Sequence, residues 1–327
     1  MTPRGEVGVS QAVSSARAVV TPWRDRLLHL EDVDAPVVVA CSGGPDSLAL
    51  LALAVAIALD PIAVHVDHGL RADSDREAGV VAAAAARLGA RFDAERVAVE
   101  PGPNLEARAR DARYDALERA RARLGATAVL VGHTADDQAE TVMLNLLRGA
   151  ALPGLGGMPP RRGRLVRPLL GLRRADTAEI CARLELTPID DPMNADPTFR
   201  RVWLRREILP ALERGAGRDL VPVLARQADV LRAESDFLDE LARAAWPPGA
   251  DQALGGGAPA APLTAMPLVL ARRAVRCWLG PPPPSLDEVE RILTVARGEA
   301  RATEIAGGRR VRRSGGRLAV ESSSPGR

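Results

Sequence analysis

Between residues 36 and 150, short Val-rich runs alternate with longer segments of helical spacing, and this alternation limits the fold more than any other feature of the chain. The short runs are Pro36–Cys41, Pro61–Val66, Arg96–Val99 and Thr127–Gly132. Between and after them lie Asp46–Leu59, Ser74–Leu88, Leu105–Leu124 and Asp136–Leu147, which carry apolar residues at helical spacing. Strand candidates without polar alternation need cover on both faces, which a parallel sheet flanked by helices provides. Right-handed crossovers then give a doubly wound α/β domain with a parallel sheet, whose ligands sit beyond the C-terminal ends of its strands. Aromatic residues make up only 2% of the chain, so the core must be built mostly of Ala, Val and Leu.

Glycine and proline interrupt the alternation at Leu152–Arg164. A helix capped around Asp176 is expected over Arg173–Leu186, followed by the polar stretch "IDDPMNADPTF". Beyond residue 215 the pattern reads as helices without strands, at Leu220–Ala245, Thr264–Trp278 and Ser285–Ala296, with a flexible linker at Pro247–Pro262. The closing "GGRRVRRSGGRLAV" fits a short hairpin or a basic tail. The expected organisation is a lead-in at 1–35, an α/β domain at 36–215 and a smaller, mostly helical domain at 216–327.

Lysine is absent, so all 44 basic residues are arginine. That bias has a compositional reading, given the abundance of Ala, Gly and Pro, and a functional one, a surface for nucleic-acid phosphates. Cys41, Cys181 and Cys277 stand alone, which argues against a zinc site, an iron–sulfur cluster and a disulfide scaffold. The first twenty residues hold no long apolar core of the kind a signal peptide needs, and "LALLALAVAIALD" stops short of a membrane span. A cytoplasmic protein without membrane contact is expected.

The first βα turn, Ser42-Gly43-Gly44-Pro45-Asp46-Ser47, is the chemically richest stretch. Its glycines let backbone amides approach a ligand closely, the next helix adds its unsatisfied N–H groups, and Ser42 and Ser47 add hydroxyls. Such a turn can cradle phosphates. It is not the common P-loop, whose lysine the chain lacks. Asp46 would repel phosphates unless a cation lay between, and Mg2+ is suited to bridge them. Read alone, the turn could also be an ordinary helix cap.

SGGxDS after a first strand resembles the signature of the PP-loop ATP pyrophosphatases, with Pro45 where that superfamily often has lysine. Further motifs in order are "HVDHGLR" from His65, "NLEARARDARY" from Asn104, "GHTADDQAET" from Gly132, "RPLL" from Arg167 and the R-x-x-x-R-x-x-I-L-P stretch at Arg201–Pro210. Together they resemble the tRNA(Ile)-lysidine synthases over roughly residues 36–211. Val202 departs from the asparagine often found there.

The resemblance implies an ATP-dependent ligase that joins L-lysine to the wobble cytidine of tRNA(Ile) with a CAU anticodon, through an adenylated base. It implies ATP at Ser42–Ser47 and His65, Mg2+ at Asp46, and Arg113 on the adenylate. Asp137 and His133 are candidates for taking the amine proton, and Asp137 and Arg205 for lysine. Phosphates of the RNA are expected at Arg201 and Arg205 and at the terminal cluster Arg309, Arg310, Arg312 and Arg313. A homodimer is among the partners this reading admits. Two alternatives stay open: a PP-loop tRNA thiolation enzyme, for which cysteine pairs are wanting, and a non-catalytic ATP- or RNA-binding module.

Overall fold

The computed structural model describes residues 16–67, 74–98, 102, 105–189, 200–246 and 257–322. The chain divides into two compact units, Met1–Val230 and Leu231–Arg327. The first begins with a helix at 16–24 (α1) and continues through β1 (Val37–Ala40), α2 (Pro45–Ala56), β2 (Pro61–Asp67), α3 (Ser74–Leu88) and β3 (Arg91–Arg96). Next come α4 (Leu105–Arg123), β4 (Ala128–Leu130), α5 (Ala135–Leu147), the short α6 (Leu152–Leu155), and the paired β5 (Arg161–Arg162) and β6 (Leu165–Val166). Then follow α7 (Arg174–Arg183), α8 (Arg200–Trp203), a π-turn at Leu204–Ile208, α9 (Leu209–Ala216) and α10 (Val221–Ala245), which crosses the unit boundary.

The strands form one sheet in the order β3-β2-β1-β4-β6-β5. Pairings from β3 to β6 are parallel, and only the edge strand β5 runs antiparallel. Alternating residues of each strand serve opposite faces, as the pleat requires. Val37, Val39, Ala63, Leu130 and Val166 join the core under α1, α2, α3 and α7, whereas Val38, Ile62, Val64 and Val129 join the core under α4. Helix α2 is apolar all round because it is buried all round: Leu48 to Ala54 are each at most 1% exposed.

The single helix expected at Thr264–Trp278 is broken into Ala260–Ala265 and Leu268–Leu279, and the expected linker at Pro247–Pro262 gives way to structure from Ala258. In the first unit the expected α/β class, the helices and three of the four strands stand where the pattern puts them. The exception is β3, expected at Arg96–Val99 and found at Arg91–Arg96. As the sheet's edge it is half solvated, and its "RFDAER" alternates instead of running apolar. β6 was hidden because its apolar stretch has only two residues.

The second unit packs the end of α10, α11 (Ala260–Ala265), α12 (Leu268–Leu279) and α13 (Leu286–Arg297) against an antiparallel sheet. Its order is β7-β10-β9-β8, comprising β7 (Ala258–Pro259), β8 (Ala302–Ile305), β9 (Arg309–Ser314) and β10 (Arg317–Ser322). The hairpin alternative for the chain's end is therefore the one adopted, and the strand-free expectation beyond residue 215 is corrected. Trp246 and Trp278 meet edge to face at 5.5 Å in the core, where Trp246 Nε1 donates to the Pro259 carbonyl. Val311, Leu318 and Ile305 supply the sheet's buried side.

Candidate active site

The sheet's topology fixes where a ligand can enter. Strands β1, β2 and β3 step one way, and β4 and β6 lie on the other side of β1, so the loops after β1 and β4 diverge at a switch point. The loop after β1 is the Ser42–Ser47 turn. Gly43 sits at φ +85°, and a Cβ there would come within 2.5 Å of Ile189 Cδ1. Its carbonyl accepts from the Ile189 amide at 2.9 Å, which anchors the turn. Gly132, after β4, lies so close that a Cβ would stand 2.9 Å from the Asp46 carbonyl oxygen. The two loops are thus pressed together backbone to backbone.

Gly44 caps α2 without any side-chain hydrogen bond, and Pro45 occupies the first turn, where a missing N–H costs nothing. The positive end of α2 is left for a ligand. Ser42 is exposed beside it. Ser47 is turned inward instead, its hydroxyl donating to the Gly44 carbonyl at 2.9 Å.

Asp46 meets the hydroxyl of Thr177, a fully buried α7 residue, at 2.5 Å. Burial raises the Asp46 carboxyl to about 6; the Thr177 bond opposes the shift, Asp137 and Asp136 add to it, and Arg174 also opposes it. A carboxylate held this close to other carboxylates beside a phosphate cradle is suited to a cation. No group of three metal-ligating side chains exists among the described residues. A divalent ion here would take its remaining oxygens from phosphate and water, which is how Mg2+ is usually bound, so the residues fit it.

Helix α5 opens with the ionisable run Asp136, Asp137, Glu140. Asp137 accepts from the Thr134 amide at 2.8 Å and hydroxyl at 3.0 Å, which ties the first turn of α5 to the residue before it. The start of α7 neutralises the run. Arg173 grips Asp136 through Nε and Nη2, both at 3.1 Å, and also pairs with Asp219. Arg174 bridges Asp137 and Glu140, the latter at 2.7 Å. Glu140 is 1% exposed and takes a second guanidinium, Arg205, at 2.8 Å. Burial alone would raise the Asp137 carboxyl, but Arg174, His133 and the Thr134 bonds outweigh it and hold the group below the usual carboxylate range. Burial likewise works against Arg174's charge, and Asp137 and Glu140 reverse that and raise its pKa.

Arg205 lies in the π-turn, a device common at functional sites. Arg201, one turn earlier, reaches Thr141 at 3.4 Å. Both expected arginines therefore face α5, while Arg200 and Arg206 remain exposed.

His133 follows β4. Its Nδ1 accepts from Arg167 Nε at 3.3 Å, so the neutral ring carries its proton on Nε2. Burial pushes the imidazole down to about 3; Asp137 opposes this, and Arg167, Arg113 and Arg110 reinforce it. Arg113 and Arg110, on α4, lie over the Tyr114 ring at 5.4 and 5.5 Å. His65 is 2% exposed and donates from Nδ1 to the Cys41 carbonyl at 3.0 Å, bracing the strand end that carries the loop. His68–Arg71 and Asp190–Phe199 lie outside the described residues.

Asp46, His65, Arg113, His133, Asp137 and Arg205, all singled out in the sequence, stand around the C-terminal edge of this one sheet. Sequence reasoning left out Arg173, Arg174 and Thr177 and gave Glu140 no role. Their partners lie 34 to 131 residues away, and no local pattern reports such pairings.

The terminal arginines belong to the second unit. Arg310 pairs with Glu304 at 3.5 Å and Arg312 with Glu321 at 2.7 Å, both across the sheet. Arg309 bonds the carbonyls of Leu279 and Pro282, and Arg313 packs against Gly298. The charge that looks unopposed along the chain is partly balanced by neighbouring strands.

With this geometry in hand, similarity to known proteins is specific. A family model described as "PP-loop domain" matches residues 20–212, and one described as "TilS substrate binding domain" matches residues 259–319. The tRNA(Ile)-lysidine synthase of Salinispora arenicola is 44% identical over 312 residues, covering 89% of this chain and 92% of that protein. Its counterpart in Nocardia farcinica is 45% identical over 278 residues, covering 83% and 86%. That of Streptomyces coelicolor is 42% identical over 301 residues, covering 87% and 84%.

Proposed function

The chain belongs to the tRNA(Ile)-lysidine synthase family and is an ATP-dependent ligase acting on tRNA(Ile), and from that premise we propose how its residues divide the work. The observation that carries the reading is the uncapped N-terminus of α2 opening onto a cluster of carboxylates at the switch point of the sheet. One feature receives phosphates, and the other receives cations.

ATP lies with its β- and γ-phosphates over Ser42–Ser47. The 2-keto oxygen of the wobble cytidine in the CAU anticodon attacks the α-phosphorus, the bond to the β-phosphate breaks, and pyrophosphate leaves. The ε-amine of L-lysine then forms a C–N bond at the activated carbon, and the C–O bond to AMP breaks. One amine proton must leave in that step, because lysine's free pKa is about 10.4. Asp46 would hold Mg2+, which when bound would neutralise charge on the phosphates.

Asp137 and Arg205 receive lysine, with Glu140 holding Arg205 in place. Asp137 is the better proton acceptor of the two candidates. His133's available lone pair is engaged by Arg167, whereas Asp137 is held in its carboxylate form and can accept from an ammonium. Arg113 faces the adenylate. The domain at 259–319, with Arg309, Arg310, Arg312 and Arg313, contacts the RNA together with Arg201.

A sulfur-transfer reading gains no support. Cys41 and Cys181 are buried, and burial raises both thiols, Cys181 to about 12. The test is incubation with radiolabelled lysine, ATP and the CAU-anticodon tRNA, followed by nucleoside analysis. Asp46→Ala and Asp137→Ala should abolish labelled product while tRNA binding persists; turnover at the parent rate would refute the assignment. No helix among the described residues is long and apolar enough to cross a membrane.

A further inference from the structure

Asp46 stands where a carboxylate has a competing use. It lies in the first turn of α2, whose cap, Gly44, makes no side-chain hydrogen bond. An acidic side chain there is drawn to the helix's own free N–H groups and positive end. Turned that way, Asp46 would block the amides of the phosphate cradle and spend the oxygens that a cation needs. The structure shows a different arrangement. Among the described residues the Asp46 carboxylate has one hydrogen bond, through Oδ1 to the Thr177 hydroxyl at 2.5 Å.

Thr177 belongs to α7, which packs against α2, and it is fully buried. Arg174 and Cys181 lie one turn to either side of it, on the same face of the helix. Arg174 holds Asp137 and Glu140, and Cys181 Sγ donates to the Pro45 carbonyl at 3.4 Å. One face of α7 therefore braces both the carboxylates of α5 and the turn that carries Asp46. The Thr177 hydroxyl also has the Arg174 carbonyl within reach at 2.9 Å, a bond that by itself satisfies a buried threonine in a helix. It has a single proton to give. An ionised carboxylate at 2.5 Å takes that proton in preference to a carbonyl, because charge-assisted O–H···O bonds are roughly twice as strong as neutral ones.

We propose that Thr177 is a positioning residue for Asp46. By holding Oδ1 from the neighbouring helix, it keeps the carboxylate off the N-terminus of α2, so the amides of the turn stay free for phosphate and Oδ2 stays free for a divalent cation. This rests on the reading of Ser42–Ser47 as the seat of ATP with Mg2+. Thr177→Val removes the hydroxyl and keeps the side chain's shape, and Thr177→Ser keeps the hydroxyl.

Full-length protein is titrated with Mn2+ in the presence of α,β-methylene ATP, which cannot release pyrophosphate, and free Mn2+ is read by electron paramagnetic resonance. Neither lysine nor tRNA is present, so the measurement is independent of turnover. Thr177→Val should weaken Mn2+ binding about five- to tenfold, and Thr177→Ser should stay within about twofold of the parent. In turnover assays Thr177→Val should need correspondingly more Mg2+, while the KM for lysine at saturating Mg2+ stays at the parent value, because the bonds of Arg174 are untouched. Parent-like Mn2+ binding by Thr177→Val overturns the proposal, as does an equal loss in both variants, which would assign the effect to packing. A rise in the KM for lysine that matches the loss of metal affinity also overturns it, since α7 as a whole would then have moved. A parent protein that binds Mn2+ with the analogue but forms no lysidine would instead refute the ligase reading, with the comparison of variants still standing.

Discussion

Replacing Asp46 by Asn should stabilise the nucleotide-free, metal-free protein, and the gain should grow with pH. Burial and neighbouring carboxylates raise Asp46 from 3.8 to about 6. Below pH 3.8 the group is protonated in both folded and unfolded chains and contributes no difference. As pH rises towards 6, the unfolded chain gives up its proton while the folded one keeps it, so stability falls; above 6 the penalty is constant. A shift of about two units at 1.36 kcal/mol each sets a ceiling near 3 kcal/mol, and partial access to solvent lowers this to about 1–3 kcal/mol. Asparagine keeps the acceptor for Thr177 and carries no charge, so it escapes the penalty. Urea unfolding in EDTA at pH 4.5, 6 and 8 should show the variant's advantage widening by about 1–2 kcal/mol across the series. The same substitution should abolish lysidine formation. An advantage that stays flat or shrinks with rising pH would refute the electrostatic account of this carboxyl.

Gly43→Ala places a Cβ at φ +85° and against Ile189, so it should cost about 1–3 kcal/mol in stability and weaken ATP binding measured by calorimetry. Arg174→Ala leaves Asp137 and the buried Glu140 short of a partner; a loss of about 3 kcal/mol is expected in urea unfolding at pH 8 and a smaller one at pH 5, because Asp137, freed of the charge that holds its pKa down, takes a proton more readily there. Affinity for tRNA should fall steeply between 50 and 200 mM salt, by about tenfold or more, in a filter-binding assay.

How far the site was legible follows from how each part is encoded. The loop at Ser42–Ser47 could be read because its task is local: glycines for the turn, a helix start behind it, and an aspartate whose charge demands a cation. The cap between Thr134 and Asp137 was equally legible, since its partners are three residues apart. The start of α7 was read only as a helix, because nothing near Arg174 or Thr177 in the chain announces that they meet α5 and α2. The basic terminal stretch misled in the opposite direction. Its arginines look unopposed in a row, yet strand pairing sets Glu304 and Glu321 beside Arg310.

By itself, the sequence determined the α/β class and the place of the phosphate-binding turn, because hydrophobic periodicity and glycine placement act over a few residues. Tertiary structure alone decided which charges are compensated. Parallel crossovers bring α5 and α7 together over the β1–β4 junction and pair Arg174 with Asp137 and Glu140, while Arg167 is left facing neutral acceptors. Coulomb energy depends on distance in space and on local exposure to water, and neither quantity is written in the order of the residues.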